Sequence, residues 1–412
     1  MNGERWREGN SLRLLENGEE FFPRVFEAIR AARTEVLLET FILFDDPVGQ
    51  ELRGALIEAA GKGLRVEILM DHYGSPDLSD EFLRGMMDAG VKVHFFDRQP
   101  KFMGYFRVNL LRRLHRKQVV VDREIGFIGG INYSYDHLRE FGPEGKQDYS
   151  VEVVGPVVED MRLLIEEALQ SPERRPRFRF WRRSPALKEF PRGTGNARAM
   201  LVVRDNVDHQ DDIERYYRAA IRSAQREVII ANAYFFPGVR LLREMRAAAR
   251  RGVRFVLILQ GSPDKAIMRW AAVTLYDYLL RSGAVIYEYC ERPLHGKVAV
   301  IDDDWATVGS SNLDPLSLAL NLEANLLIRD RDFTAYLRQR LQCLMDNCCR
   351  EVPPPSTPKP RWWSQVSAYF VFRLLRRFPR WVALLPQHRP KISPAELTAT
   401  PLKAEEPQRD AA

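Results

Sequence analysis

The chain has 412 residues, 45% of them apolar and 29% charged, with 62 Lys and Arg set against 56 Asp and Glu. That balance is one of a soluble globular protein large enough for two domains or one two-lobed body with a tail. The surplus of +6 is modest, so where Arg clusters beside aromatic residues matters more than the total, and such clusters suggest phosphate-bearing partners.

The amino-terminal MNGERWREGN lacks the apolar stretch of a signal peptide, and no run reaches the ~18 residues of a spanning helix. Residues 11–35 read as helix, with Phe21, Phe22, Val25, Phe26 and Ile29 recurring at helical spacing after the Asn17-Gly18 break. A strand is expected over Glu35 to Leu43, a helix over Gly49 to Ala60, and a second strand over Leu64 to Met70. A loop at Asp71 to Ser75, a helix at Asp80 to Ala89 and a third strand at Val91 to Phe96 follow. Residues 97–114 mix Phe102, Tyr105, Phe106, Leu110 and Leu111 with Lys101, Arg107, Arg112 and Arg113, a composition suited to a lipid interface or to a helix packed on the core.

Leu114 to Asn132, LHRKQVVVDREIGFIGGIN, then carries a pattern that returns 180 residues later in Leu294 to Asn312, LHGKVAVIDDDWATVGSSN. Both read H-x-K, four residues, D, six residues, G-[G/S]-x-N. Ser171 to Asn196, with six Arg between 174 and 183, separates the halves as a linker. Helix, strand, helix and strand recur at Asp211 to Ala224, in REVIIANAYFF, at Val239 to Arg250 and at Val253 to Gln260, and Ala284 to Tyr289 leads into the second motif. RTEVLLETFILF matches QREVIIANAYFF, and KGLRVEILM matches RGVRFVLIL. An internal repeat of alternating strands and helices predicts an α/β fold of two helix-covered sheets related by pseudo-twofold symmetry, with the site at the lobe interface. The expected divisions are 1–170, the linker 171–198, 199–350 and a tail 351–412.

The tail holds the proline-rich spacer EVPPPSTPKP, then a basic amphipathic segment whose Arg373, Arg376, Arg377 and Arg380 share one helical face and whose Trp362, Trp363 and Trp381 stand near its ends. It suits an anionic membrane interface, or docking on the catalytic body, and the chain from Lys391 onward reads as disordered. The four cysteines, Cys290, Cys343, Cys348 and Cys349, follow neither a disulfide nor a zinc spacing, which suits a reducing cytoplasm.

Within each motif, the His and Lys stand two apart on an extended run, so His115 with Lys117, and His295 with Lys297, face one side. The return strand brings Gly129, Gly130 and Asn132 beside His115, and Ser310 and Asn312 beside His295. Glycines there leave room for a ligand oxygen at the backbone. Asp122 and Asp302 fall at the turns, away from the cluster, where a structural role is expected. Two lysines and the asparagine amides fit a phosphate-like anion. A lysine beside each histidine repels a cation, and no carboxylate or thiolate lies at ligand spacing, so a metal-free site with no cofactor is expected. In-line displacement at phosphorus needs an attacking group on one side and a proton donor opposite, and one histidine from each half meets that need.

These residues resemble the paired HKD motifs of the phospholipase D superfamily, over about residues 10–350. The resemblance implies a catalytic set of His115, Lys117, Asp122, His295, Lys297 and Asp302, with phosphate bound by Asn132, Ser310 and Asn312. It implies a phosphohistidine intermediate, with His115 as nucleophile and His295 as general acid and then base. It also places an acidic residue after each motif to orient that motif's histidine, at Asp148 and Glu323. Asp205-Asn206, IANAYFFPG at Ile230 to Gly238, and NLEANLLIRD resemble bacterial cardiolipin synthases, of the shorter B type without amino-terminal transmembrane helices. That resemblance implies phosphatidylglycerol as substrate, a peripheral place on the cytoplasmic face of the bacterial inner membrane, and no nucleic-acid partner. Tyr234, Phe235 and Phe236 are expected either to line a lipid channel or to sit in the core. The alternatives are a hydrolase, a transferase with another donor or alcohol, a nuclease, or an inactive membrane-binding scaffold.

Overall fold

A computed structural model describes residues 6–76, 78–97, 112–170, 195–261, 275–354 and 392–395. Most of the expected interfacial segment at 97–114, most of the linker and the basic segment at 361–386 lie outside the described residues. No helix among the described residues is long and apolar enough to cross a membrane.

The first half contributes β1 (Arg7–Glu16), β2 (Glu35–Thr40), β3 (Arg65–Asp71), β4 (Lys92–Phe96), β5 (Gln118–Val121), β6 (Ile125–Gly129) and β7 (Tyr149–Val154). The second contributes β8 (Ala197–Arg204), β9 (Glu227–Asn232), β10 (Arg254–Gln260), β11 (Val285–Tyr289), β12 (Lys297–Ile301), β13 (Trp305–Gly309), β14 (Glu323–Arg329) and β15 (Cys349–Glu351). A late strand, β16, spans Ile392–Pro394. The order is β15-β11-β10-β9-β12-β13-β14-β8-β1-β7-β6-β5-β2-β3-β4-β16. Read outward from its centre, each half repeats the other strand for strand. The two expected sheets are therefore continuous, joined where β1 pairs antiparallel with β8.

Local chemistry sets these elements. Helix Pro47–Gly61 starts where Asp46 accepts from the Gly49 N–H and Pro47 stands at the first turn. Ser79 and Asp330 cap helices Asp80–Asp88 and Arg331–Cys348 in the same way. Helices Asn17–Arg30 and Pro47–Gly61 cover one face of the first half, and Asp212–Ser223 and Val239–Arg250 the matching face of the second. A third core lies under Val157–Leu169 and Arg331–Cys348 and draws Val120, Ile128 and Val151 together with Ile229, Val298 and Leu326. Because this core contains residues of both halves, their relative placement is fixed by buried apolar packing.

Two expectations change, and one open alternative is decided. Residues 11–16, read into the first helix, belong to β1, and the helix begins at Asn17. Leu12, Leu14 and the preceding polar residues alternate along an antiparallel strand whose partners, β7 and β8, are too distant in sequence for local periodicity to reveal. Ile392–Pro394, expected in a disordered stretch, pairs antiparallel with Phe96 to His94, while Ala395 is buried and donates its N–H to the Val93 carbonyl. Phe235 and Phe236 are core residues of the second half.

Asp122 and Asp302 hold the far ends of the two motif hairpins. Asp122, at φ 53°, accepts from the N–H groups of Arg33, Thr34 and Glu35. Asp302, at φ 49°, accepts from those of Gln225, Arg226 and Glu227. Partial burial opposes ionisation, yet these donors keep both carboxyls below their ordinary range. Asp302→Ala is expected to cost about 3 kcal/mol in urea unfolding, from lost charge-assisted hydrogen bonds. A variant as stable as the parent but inactive would instead place Asp302 in the chemistry.

Candidate active site

Each motif begins as an extended run whose alternate side chains part. Arg116 and Gln118 turn to Glu39, with contacts of 2.6 and 2.7 Å, while His115 and Lys117 face the other way. Asp71 fixes the start of the run by accepting from the Leu114 N–H at 2.9 Å, and burial raises its carboxyl to about 6. Phe41 packs 5.0 Å from the His115 ring and 5.1 Å from Lys117 Nζ.

The imidazoles are held across the lobe interface. His115 donates its backbone N–H to Leu322 at 2.9 Å, and its Nδ1 lies 3.0 Å from Glu323 Oε2. His295 donates its backbone N–H to Gln147 at 2.8 Å, and its Nδ1 lies 2.5 Å from Asp148 Oδ2. The carboxylate that follows each motif therefore binds the histidine of the other motif, not its own as expected. The reason is topological: β7 and β14, which start beside Asp148 and at Glu323, are the strands next to the β1–β8 seam. An Nδ1–H donated to a carboxylate leaves Nε2 with a free lone pair directed away from the acid.

Lys117 is 4% exposed and Lys297 fully buried. Each donates to the carbonyl of its motif's histidine, Lys117 at 2.8 Å, which leaves two N–H donors on each ammonium for a ligand. Burial lowers Lys117 to about 7 and Lys297 to about 8. Burial also lowers both His115 and His295, and the carboxylate at each Nδ1 opposes this by favouring the charged ring. Burial lifts Asp148 above the ordinary carboxyl range, whereas Glu323, although buried, is held below it by His115, Lys117 and the Ser310 hydroxyl.

Such a cluster gains most from an anion, which restores the lysine charges. Sulfate binding at pH 8 should therefore take up about one proton and weaken as pH rises from about 7 to 9, because the bound state keeps lysines charged that the free state releases. Calorimetry in two buffers of different ionisation enthalpy measures this. Binding without proton uptake would remove the lysines from the anion site.

The remaining expected residues divide. Asn132 and Asn312, 1% and 5% exposed, each leave a buried carboxamide oxygen without a partner among the described residues. Ser310 donates its hydroxyl to Glu323 Oε2 at 2.5 Å, which commits its one proton to the carboxylate. Gly129 and Gly130 make room for protein on their Cβ sides. A Cβ on Gly129 would stand 2.1 Å from Ser150 Oγ, and one on Gly130 would stand 2.3 Å from Asp148 Oδ1. One buried residue escaped the sequence reading altogether: His137, whose ring packs 5.5 Å from that of His295. Its counterpart in the repeat is Ser317, so repetition gave no signal.

The family described as "Cardiolipin synthase, PLD-like domain" matches residues 25–154 and 217–345. The chain is 52% identical to cardiolipin synthase B of Salmonella typhi, over 96% of this chain and 95% of that protein. It is 51% identical to cardiolipin synthase B of Escherichia coli strain K12, over the same shares of 96% and 95%. Phosphatidylserine synthase of Haemophilus influenzae Rd KW20 shares the fold, with a TM-score of 0.67 at 16% identity, covering 93% of this chain and 96% of that one. With the repeated motif, its cross-bound histidines and these relatives in view, the chain belongs to the cardiolipin synthase, PLD-like domain family.

Proposed function

We propose that this enzyme transfers a phosphatidyl group from one phosphatidylglycerol to the hydroxyl of another, giving cardiolipin and glycerol. The observation that carries the reading is the pair of imidazoles, each bound through Nδ1 to a carboxylate of the opposite half, beside two buried lysines. The named relatives support the substrate class.

In the first step His115 Nε2 attacks phosphorus, the bond from phosphorus to the leaving glycerol oxygen breaks, and His295 Nε2–H gives its proton to that oxygen. In the second, His295 Nε2 takes the proton of the incoming glycerol hydroxyl, whose oxygen attacks phosphorus and releases His115. Lys117, Lys297, Asn132 and Asn312 are the groups placed to meet the phosphoryl oxygens and the alcohol. Ser310 braces Glu323, and Asp122 and Asp302 secure the motif hairpins.

The phospholipid substrates link the enzyme to membrane lipid metabolism. Binding at an anionic membrane surface on the cytoplasmic face is the finer proposal, supported by the basic and aromatic composition of residues 361–386.

Incubation with phosphatidylglycerol vesicles, followed by mass spectrometry of the lipids, tests the reading. Cardiolipin with free glycerol supports it, phosphatidic acid points to a hydrolase, and vesicle binding without turnover points to a scaffold. Saturating EDTA is expected to leave the rate within about twofold, since a lysine–histidine site stabilises the phosphoryl charge through its own donors. A loss that added divalent metal restores would overturn the metal-free mechanism.

A further inference from the structure

The two catalytic histidines are not equivalently supported. Glu323 Oε2 receives His115 Nδ1 at 3.0 Å and also the Ser310 hydroxyl at 2.5 Å. Asp148 Oδ2 receives His295 Nδ1 at 2.5 Å. The repeat position that carries Ser310 in the second half carries Gly130 in the first, where any Cβ would collide with the Asp148 carboxylate at 2.3 Å. A hydroxyl from that side is sterically excluded.

From another direction comes His137, on the short 3₁₀ turn Tyr135–His137, fully buried. The Asn132 N–H donates to His137 Nε2 at 3.3 Å, so Nε2 is the acceptor and a neutral ring carries its proton on Nδ1. That Nδ1 is buried without a hydrogen-bond partner among the described residues, and it stands 3.8 Å from Asp148 Oδ2, the oxygen that binds His295. His137, Asp148 and His295 place one donor or acceptor atom each within 4.8 Å of one another. An N–H held about 1 Å beyond bonding distance from a buried carboxylate is a contact available to a small rotation.

We propose that His137 is a positioning residue for the transfer reaction, acting on His295 through Asp148. When His295 releases its Nε2 proton to the leaving alcohol it loses its positive charge, and Asp148 loses an ionic partner. The His137 Nδ1–H then closes on Asp148 Oδ2 and carries part of that negative charge. Both imidazoles stay neutral at that stage, with one proton each on Nδ1, and no further reactant is needed. By stabilising the carboxylate when His295 is neutral, His137 lowers the proton affinity of His295, which makes it the better acid in the first step and the weaker base in the second. The titratable groups acting on this trio are Asp136, 3.9 Å from His137 Nε2, together with His115, Lys146, Lys297 and Lys117, and none of them offers Asp148 the missing donor in the contacts described.

The inference rests on His295 as the proton donor, so its test is read by imidazole ¹⁵N NMR and not by lipid turnover. Wild-type enzyme should show His137 as the Nδ1–H tautomer, and a Nε2–H tautomer overturns the proposal without any variant. Two substitutions then separate the two ring nitrogens. His137→Asn places an amide N–H where Nδ1 stood, and His137→Gln places an amide oxygen where Nε2 stood and offers Asp148 nothing. His295 should titrate about one pH unit higher in His137→Gln, the scale of one lost hydrogen bond to a charged partner, and close to wild type in His137→Asn. Equal titration of His295 in both variants, or a rise confined to His137→Asn, overturns the proposal. Failure of the vesicle assay with these NMR results intact would count against the lipid reading and not against the role of His137.

Discussion

Alanine at His115 or at His295 will lower cardiolipin formation by on the order of 10⁴-fold or more, the scale seen when members of a concerted nucleophile and acid–base set are removed. The two losses differ in kind. A phosphatidyl ester with a p-nitrophenol leaving group needs no proton donor, so His295→Ala should still form a covalent adduct, and mass spectrometry should find it on the peptide containing His115. His115→Ala should form none. An adduct on His295 would exchange the two roles, and appreciable turnover by either variant would remove the paired-histidine mechanism.

Glu323→Gln should slow adduct formation by about 10³-fold, although Glu323 lies in the second half of the chain and the nucleophile in the first. The amide replaces an acceptor of the His115 Nδ1–H by a group that can donate, so the ring loses the tautomer that frees Nε2 for attack. Asp148→Asn should leave adduct formation from the activated ester largely intact and slow the transfer from phosphatidylglycerol, because it disturbs His295. If each carboxylate served the histidine of its own motif, the two results would be reversed. Thermal unfolding of both variants distinguishes this exchange from a general loss of structure.

The sequence legibly carried whatever depends on local periodicity and on repetition. The strands Arg65–Asp71 and Arg254–Gln260, the helix Val239–Arg250 and the turns at Asp122 and Asp302 stand where apolar spacing and turn chemistry put them. Assembling two histidines and two lysines into one cluster was equally legible, since a pattern met twice implies a symmetric site. Contacts that cross the seam were not. A carboxylate placed after a motif is assigned by proximity in sequence to that motif, and only the β1–β8 junction shows that Asp148 and Glu323 reach across. Ser310 and Gly130 were only partly legible for a related reason: without the neighbouring strand in place, a hydroxyl and a bare backbone carry no sign that Glu323 and Asp148 lie against them. His137 had no counterpart in the repeat to mark it.

Edge strand β16 sets a timetable for biosynthesis. In the second half the equivalent strand, β15, follows its helix directly, whereas β4 ends at Phe96 and its partner begins only at Ile392, about 300 residues later. At ~5–20 residues per second the ribosome needs about 15 to 60 s to cover that interval. Throughout it no other described strand pairs with the outer edge of β4, and an unpaired strand edge is the kind of template that recruits other chains. A chain interrupted before residue 392 lacks the described partner of that edge, so it is expected to aggregate through β4 more readily than the full chain, whatever catalytic groups it has already acquired.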